Sequence, residues 1–477
     1  MSGEGFLIIT TNNLRAVARR ENIEFVVKEF LCTSCGVCSG VCHSGAITLK
    51  LDDYGIYTPV VDEVLCDNCG ICVKVCPGHG FDYPRHYRNI HGELPEHQAL
   101  GACIDAYAGY VNDQAVLQRA QSGGFVSGLL LYCLDQGIID GAVVTRPGRE
   151  SPFSFETIVA CDRETLLEAT GSIYNPVPAA EAVGFLRKHD GKFAFVGTSC
   201  QIQGMRKAER QFKELSEKVV LYIGLHCLGV FTYHFHEYLL HKTGVARGDV
   251  SRFRLRDKAW RGWPCDMRLY DKSGNSHDLD ARKSRLIPRP YFTNWRCQLC
   301  FDKANEFSDV SCGDCRIPEA VSVFKERAYD VRNGLSEFVV RTERARKIID
   351  SAIADQRFTV IKRTSDELAS SITVAGKKIG FNAFKAFCER FSISTPEYLC
   401  EFELADESSG AHPGRLKEYR FCLHYYVFFM LGRYRFFRFI VKKLSFRAMK
   451  KMNDRREKGV TFVVNRGVSK LKVNLYE

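Results

Sequence analysis

Along residues 46–62 the sequence AITLKLDDYGIYTPVVD alternates apolar and polar positions on either side of a polar turn. Period-two alternation predicts two short strands that each bury one face. From residue 107 the pattern lengthens. Residues 121–145, QSGGFVSGLLLYCLDQGIIDGAVVT, predict a glycine-rich turn, an amphipathic helix, a second turn and a buried strand at Ala142–Thr145. KFAFVGTSCQIQGM (Lys192–Met205) and VVLYIGLHCLGV (Val219–Val230) each predict a buried strand that stops at a glycine-polar-cysteine turn. Such strands belong to an α/β unit with a parallel sheet, whose ligands gather at the carboxyl ends of the strands. Cys200 and Cys227 are therefore expected at one sheet edge, facing each other.

The pattern changes again after ADESSGAHPG (Ala405–Gly414), which reads as a polar linker. Phe421–Gly432 is uncharged, but its twelve residues are too few to span a bilayer. Beyond it Arg433, Arg435, Arg438 and Lys442 recur at helical spacing, with Phe436, Phe437, Ile440 and Leu444 between them. This predicts a basic amphipathic helix, suited to an anionic membrane interface or to docking its aromatic face on the protein's own body or a partner subunit. Nucleic acid ranks third, because no recognised fold accompanies the charge.

Composition sharpens this division. The 477 residues suffice for two or three domains, and the net charge of +11 is unevenly placed. Residues 415–477 hold 17 Lys/Arg against 4 Asp/Glu, a net +13, so the preceding 414 residues carry −2. No run of roughly 18 apolar residues occurs, and the first 22 residues have no basic segment leading a long apolar one. A cytoplasmic chain is expected, with peripheral contact on the inner face of the membrane open to the tail. Without export, 21 cysteines mean metal or redox chemistry rather than a disulfide framework.

Eight of these cysteines form two C-x2-C-x2-C-x3-C runs, Cys32/Cys35/Cys38/Cys42 and Cys66/Cys69/Cys72/Cys76. Three thiolates two residues apart wrap one corner of a cubane, and the fourth of each run reaches the other cluster. The expected sets are Cys32/Cys35/Cys38/Cys76 and Cys66/Cys69/Cys72/Cys42, holding two 4Fe–4S clusters. Zinc, which usually takes separated cysteine pairs, fits these runs poorly. His43 stands where a proline commonly follows the first run. The connector with His79, His86, His91 and His97 reads as a solvated linker rather than a metal site.

RCQLCFDKANEFSDVSCGDCRIPE, residues 296–319, adds two C-x-x-C pairs, Cys297/Cys300 and Cys312/Cys315. By itself the stretch suggests a zinc ribbon, although eleven residues make a short spacer. No GxGxxG follows a strand and no GxxxxGK[ST] occurs, so neither a Rossmann dinucleotide site nor a P-loop is expected. Ser122, Gly123 and Gly124 would start a helix, where an anion is favoured, although a plain capped turn serves as well. Cys200 could be a nucleophile at a helix start, but among so many thiols a cluster ligand is preferred. His226 reads as a packed core histidine, and no catalytic acid or base is assigned.

The succession SGGF…LLLYCLDQGIIDGAVV, GSIYNPV, FVGTSCQIQG, IGLHCLG, CQLC, SDVSCGDCRIPE and GLSEFVVRT, over roughly residues 100–350, resembles the beta subunits of coenzyme F-420 hydrogenases and dehydrogenases. The resemblance implies FAD near Ser122, Gly123, Gly124, Ser172, Tyr174, Gly197, Thr198 and Asp314. It also implies a third 4Fe–4S cluster on Cys297 and Cys300; Cys312 and Cys315, close by in sequence, are taken first to complete it, with Cys200 and Cys227, which match the family pattern, as the alternative. Ile173, Ser199 and His226 depart from the family pattern. The fold expected is α+β: a two-cluster ferredoxin domain (1–95), a flavin-binding α/β domain (96–404), a linker (405–414) and a basic tail (415–477). Such an oxidoreductase passes electrons between its clusters and a two-electron carrier, first of all coenzyme F-420. The rival readings are a ferredoxin-dependent reductase of another organic substrate and a relay subunit of a larger redox complex.

Overall fold

The alternating stretch forms the antiparallel pair β1 (Ile47–Leu51) and β2 (Tyr57–Val61), with Ile47 opposite Val61 and Leu51 opposite Tyr57. In this computed structural model residues 22–95, 99–404, 415–457 and 471–475 are described. The first 21 residues, His97 and the 405–414 linker lie outside the described residues. Short helices Val37–Val41 and Ile71–Lys74 follow cysteine loops on both sides of the hairpin, each started by a left-handed glycine, Gly36 (φ 88°) and Gly70 (φ 72°). At Gly36 a Cβ would also lie 2.6 Å from the Pro178 carbonyl, so only glycine fits there. The ferredoxin-type unit is thereby pressed against the following α/β body.

The connector is not solvated. Residues Tyr83–His91 form a helix capped by Asp82, and Tyr83, His86 and Tyr87 are buried. They recur at i, i+3 and i+4, which places them on one helix face. Tyr83 donates to Glu306 at 2.8 Å, and His91 Nε2 lies 2.9 Å from the Glu306 carbonyl. A polar-looking stretch thus carries an aromatic stripe that locks it to the body.

The body is built on an eight-stranded mixed sheet. Its strands are β3 (Asp105–Val111), β4 (Gly141–Pro147), β5 (Phe155–Ala160), β6 (Phe193–Gly197) and β7 (Val219–Leu225), then, after a separate antiparallel sheet of β8 (Val250–Asp257), β9 (Asp266–Asp271) and β10 (Ser276–Leu279), β11 (Val310–Asp314), β12 (Ser336–Val340) and β13 (Phe358–Arg363). The order is β13-β3-β12-β11-β7-β6-β4-β5. The central β11, β7, β6 and β4 run parallel, and the outer pairings are antiparallel. Gly197 pairs with Gly224, so β6 and β7 end side by side. A final pair, β14 (Cys400–Leu404) with β15 (Leu471–Leu475), is antiparallel.

Alternation along these strands feeds two cores. Ala106, Val143, Phe195 and Val339 enter one, and Tyr107, Val144, Ala194 and Phe338 enter the other. The helix expected after the glycine turn spans Phe125–Asp135, but Gly128 through Cys133 are all buried, so it is enclosed rather than amphipathic. It shares its core with Phe338, Phe358 and the Ala345 and Ile349 face of helix Glu343–Ala354.

Residues 415–457 form helices Arg415–Gly432, Arg435–Lys443 and Phe446–Glu457. Cys422 and Phe429 are buried against Phe384, Phe387 and Trp295, while Val441 and Met449 join Phe235, Tyr238 and Phe292. No helix among the described residues is long and apolar enough to cross a membrane.

Candidate metal centres and the sheet edge

The two cysteine runs interleave. The Cys32, Cys35, Cys38 and Cys76 thiols lie close enough to disfavour one another's ionised forms. Burial pushes Cys35 up to about 11, and the Cys76 charge adds to this. Cys42, Cys66, Cys69 and Cys72 line one cavity. Burial likewise raises Cys72 to about 11, reinforced by Cys69 and Cys42. Backbone amides point at the sulfurs, as from Ser34 to Cys32 Sγ at 3.5 Å. The first quartet is largely buried, whereas the second is open to solvent at Cys69; thiols gathered in this way, with amide donors beside them, suit a polynuclear cation that stabilises thiolate. His43, on the exposed side, pairs with Asp67 at 3.0 Å.

The stretch 296–319 does not close on itself. Cys312 lies within β11 opposite Leu225 and Phe338, in one core, whereas Cys315 follows the strand into the other. The Cys315 amide donates to the Leu335 carbonyl at 2.8 Å. Burial in apolar surroundings drives the Cys312 thiol upward and Cys315 to about 12. The local quartet expected from spacing therefore gives way, because a strand sends residues an odd number apart to opposite faces.

Instead Cys297 and Cys300 meet the other pair. Cys200 sits in the first turn of helix Ser199–Gln211 after β6, held by a capping box of Thr198 and Gln201. Cys227 follows the end of β7. Burial pushes the Cys200 thiol well up, with Cys35, Cys227 and Cys300 adding to the effect. Burial, Cys227 and Cys300 bring Cys297 to about 11. Gly229 makes this approach possible: its φ is 122°, its amide lies 3.4 Å from Cys227 Sγ, and a Cβ would fall 3.0 Å from that of Cys297. The influence of Cys35 on Cys200 links this third quartet to the first.

Three cations, none singled out by sequence reasoning, brace the loops. Arg296 is 3% exposed; it donates to the Leu299 carbonyl at 2.6 Å, the Pro77 carbonyl at 3.1 Å and the Tyr398 hydroxyl at 2.9 Å. It thus joins the residue after Cys76 to the residue before Cys300. Lys207 donates to the Cys76 carbonyl and Lys377 to the Cys297 carbonyl, both at 2.6 Å.

The residues expected around FAD separate into two groups. Ser172, Tyr174 and Asp314 converge on Gln121 and Arg256, beside Ser122. Arg256 donates to the Tyr174 hydroxyl at 3.2 Å and the Gln121 carbonyl at 3.1 Å, and pairs with Asp314 at 2.7 Å. The Ser172 amide donates to Gln121 at 2.7 Å, and Lys258 donates to the Ser122 carbonyl at 3.0 Å. Burial lowers Lys258 to about 8. Gly123 is needed for packing, since a Cβ would meet the Gly109 carbonyl at 2.4 Å, and Gly124 (φ 76°) starts the helix. Gly197 and Thr198 lie apart, beside the third quartet, with the Thr198 hydroxyl 3.4 Å from Cys200 Sγ. Arg256 Nε and Trp263 Nε1 are buried donors without a partner among the described residues, and such donors are usually satisfied in a native structure. His226 is half-buried and held neutral, its pKa lowered to about 3 by burial and then by Arg341 and Lys303; its ring nitrogens face Ser311 Oγ at 3.3 Å and Glu337 Oε1 at 3.9 Å.

Neither Arg256 nor Arg296 is visible in hydrophobic periodicity, because a charged residue in a sequence reads as solvated. Their nearest signals are positional: Arg256 opens RDKAWRGWPC and Arg296 directly precedes Cys297.

Family models match three stretches of the chain between residues 31 and 366. Residues 106–184 match the amino-terminal domain, and residues 190–366 the carboxy-terminal domain, described as coenzyme F-420 hydrogenase/dehydrogenase, beta subunit. Residues 31–79 match a 4Fe–4S dicluster domain. The coenzyme F-420 hydrogenase subunit beta of Methanosarcina barkeri is 25% identical over 266 residues, 54% of this chain and 82% of that protein. A subunit of the F-420H2 dehydrogenase of Methanosarcina mazei is 26% identical over 391 residues, 78% of this chain and 96% of the relative. A chain of the F-420-reducing nickel–iron hydrogenase complex of M. barkeri aligns with a TM-score of 0.48 at 24% identity, over 62% of this chain and 95% of that one.

Proposed function

The chain belongs to the coenzyme F-420 hydrogenase/dehydrogenase beta-subunit family and is an iron–sulfur oxidoreductase, and from that premise we propose that it passes electrons between its clusters and coenzyme F-420 through bound FAD. FAD, when bound, exchanges a hydride on one side and single electrons on the other, which a cluster alone does not do. The observation that carries the reading is the sequence of neighbours. The first ferredoxin quartet adjoins the third through Cys35 and Cys200, and the third lies at the same parallel-strand edge as Asp314.

In this reading Cys200, Cys227, Cys297 and Cys300 hold a third 4Fe–4S cluster, and the other two quartets hold the ferredoxin pair. Arg256, oriented by Asp314 and Tyr174, supplies positive charge for the cofactor's anionic part, and Trp263 offers a further donor. Gln121 fixes the Ser172 turn through its amide. His226, held neutral, carries no charge near neutral pH. The relatives' names, as hydrogenase and dehydrogenase subunits, support docking into a larger redox complex.

The test is spectroscopic. Anaerobically purified protein is expected to show flavin absorption that bleaches on addition of reduced coenzyme F-420. Bleaching by reduced ferredoxin only would replace the carrier with another organic substrate, and absence of flavin would leave an electron relay.

A further inference from the structure

Helix Arg435–Lys443 carries large apolar side chains on two sides. Val441 is buried and Phe437 packs against Phe428, with ring centroids 5.4 Å apart. Phe436, Phe439 and Ile440 recur at i, i+3 and i+4 on the outward side and are 75%, 51% and 42% exposed. On the preceding helix Leu423, Val427 and Leu431, spaced by four, are exposed as well, as is Tyr434 between the two helices. A helix docked on one face normally turns polar residues outward. A concentration of exposed apolar side chains marks an interaction surface.

Charge identifies what it meets. From Tyr419 to Asn453 the chain holds nine Lys/Arg and no Asp or Glu. Some of these cations lie over the aromatic rings: Lys443 Nζ is 5.5 Å from the Phe439 ring centre, and the Arg433 guanidinium is 4.7 Å from that of Tyr434. Aromatic side chains interleaved with lysine and arginine match a membrane interface, which takes rings at headgroup depth and attracts cations to anionic lipid. The apolar face first expected of this helix is thereby divided. Phe437 and Val441 serve the body, and Phe436, Phe439 and Ile440 remain for a partner.

We propose that the face bearing Phe436, Phe439 and Ile440 seats the protein on an anionic phospholipid surface. The binding is peripheral, combining shallow ring insertion with charge attraction.

Flotation of the cluster-loaded full chain with vesicles tests this. The chain is expected to rise with phosphatidylglycerol/phosphatidylcholine vesicles and to stay behind with phosphatidylcholine alone. The triple variant Phe436→Ser, Phe439→Ser, Ile440→Ser is expected to lose at least about tenfold of the binding while keeping its iron content. Loss of binding in high salt would support the charge component. Failure to float with anionic vesicles, equal binding to both vesicle types, or a triple variant that binds like the parent would each overturn the proposal. So would capture of an acidic protein partner by this face when vesicles are ignored.

Discussion

Arg296 shows how much of a redox site can rest on one side chain. Its guanidinium holds the chain beside Cys76 and the chain beside Cys300, and it lies close to Cys200 as well. A buried cation stabilises the added electron on a nearby anionic cluster, so it raises that cluster's reduction potential. Arg296→Gln is expected to move at least one cluster to more negative potential in an EPR-monitored redox titration, with iron content unchanged. Arg296→Lys keeps the charge but loses the fork that spans two carbonyls, so its shift should be smaller. An unmoved potential in Arg296→Gln, with full iron, would contradict the role assigned to it. Arg256 makes the complementary case at the proposed flavin site: Arg256→Ala should release flavin while leaving the cluster spectrum intact, as read by absorbance after desalting.

At the scale of elements, what the sequence made legible follows from period and spacing. The β1–β2 hairpin, the buried strands β4, β6 and β7, the helix after Thr198 and the two interleaved quartets all come from local patterns that a short window contains. What stayed hidden depends on contacts far apart in the chain. Cys312 and Cys315 look like partners for Cys297 and Cys300 because all four are close in sequence, yet β11 sends them into separate cores. Cys200 and Cys227 are far from Cys297 in sequence and reach it only because β6 and β7 end together. Strand order thus brings Cys200 and Cys227 to one sheet edge and parts Cys312 from Cys315. Helix Tyr83–His91 was missed because its tyrosine stripe is diluted by Arg, His and Asn. Accordingly Cys312→Ala and Cys315→Ala are expected to keep full iron, whereas Cys227→Ala is expected to lose one cluster, about four irons. Each result is read by iron analysis of the purified variants.

Across the whole molecule, charge and cofactors divide the labour. The first 414 residues are nearly neutral, at −2, and hold every cysteine of the three quartets, while the last 63 carry +13. The ferredoxin-type unit is fixed against the body by glycine contacts at Gly36 and Gly40, where a Cβ would meet Pro178 and Glu181 at 2.6 and 2.4 Å. Cys35 lies near Cys200, and Arg296 ties the chain after Cys76 to the chain before Cys300. A close-packed seam of this kind fixes how the ferredoxin-type unit sits on the body. The central claim is that three clusters and a flavin share one chain. Iron, zinc and flavin counted per chain after anaerobic reconstitution test it most directly. The account predicts about twelve irons, no zinc and one flavin; about eight irons with one zinc, or no flavin, would contradict it.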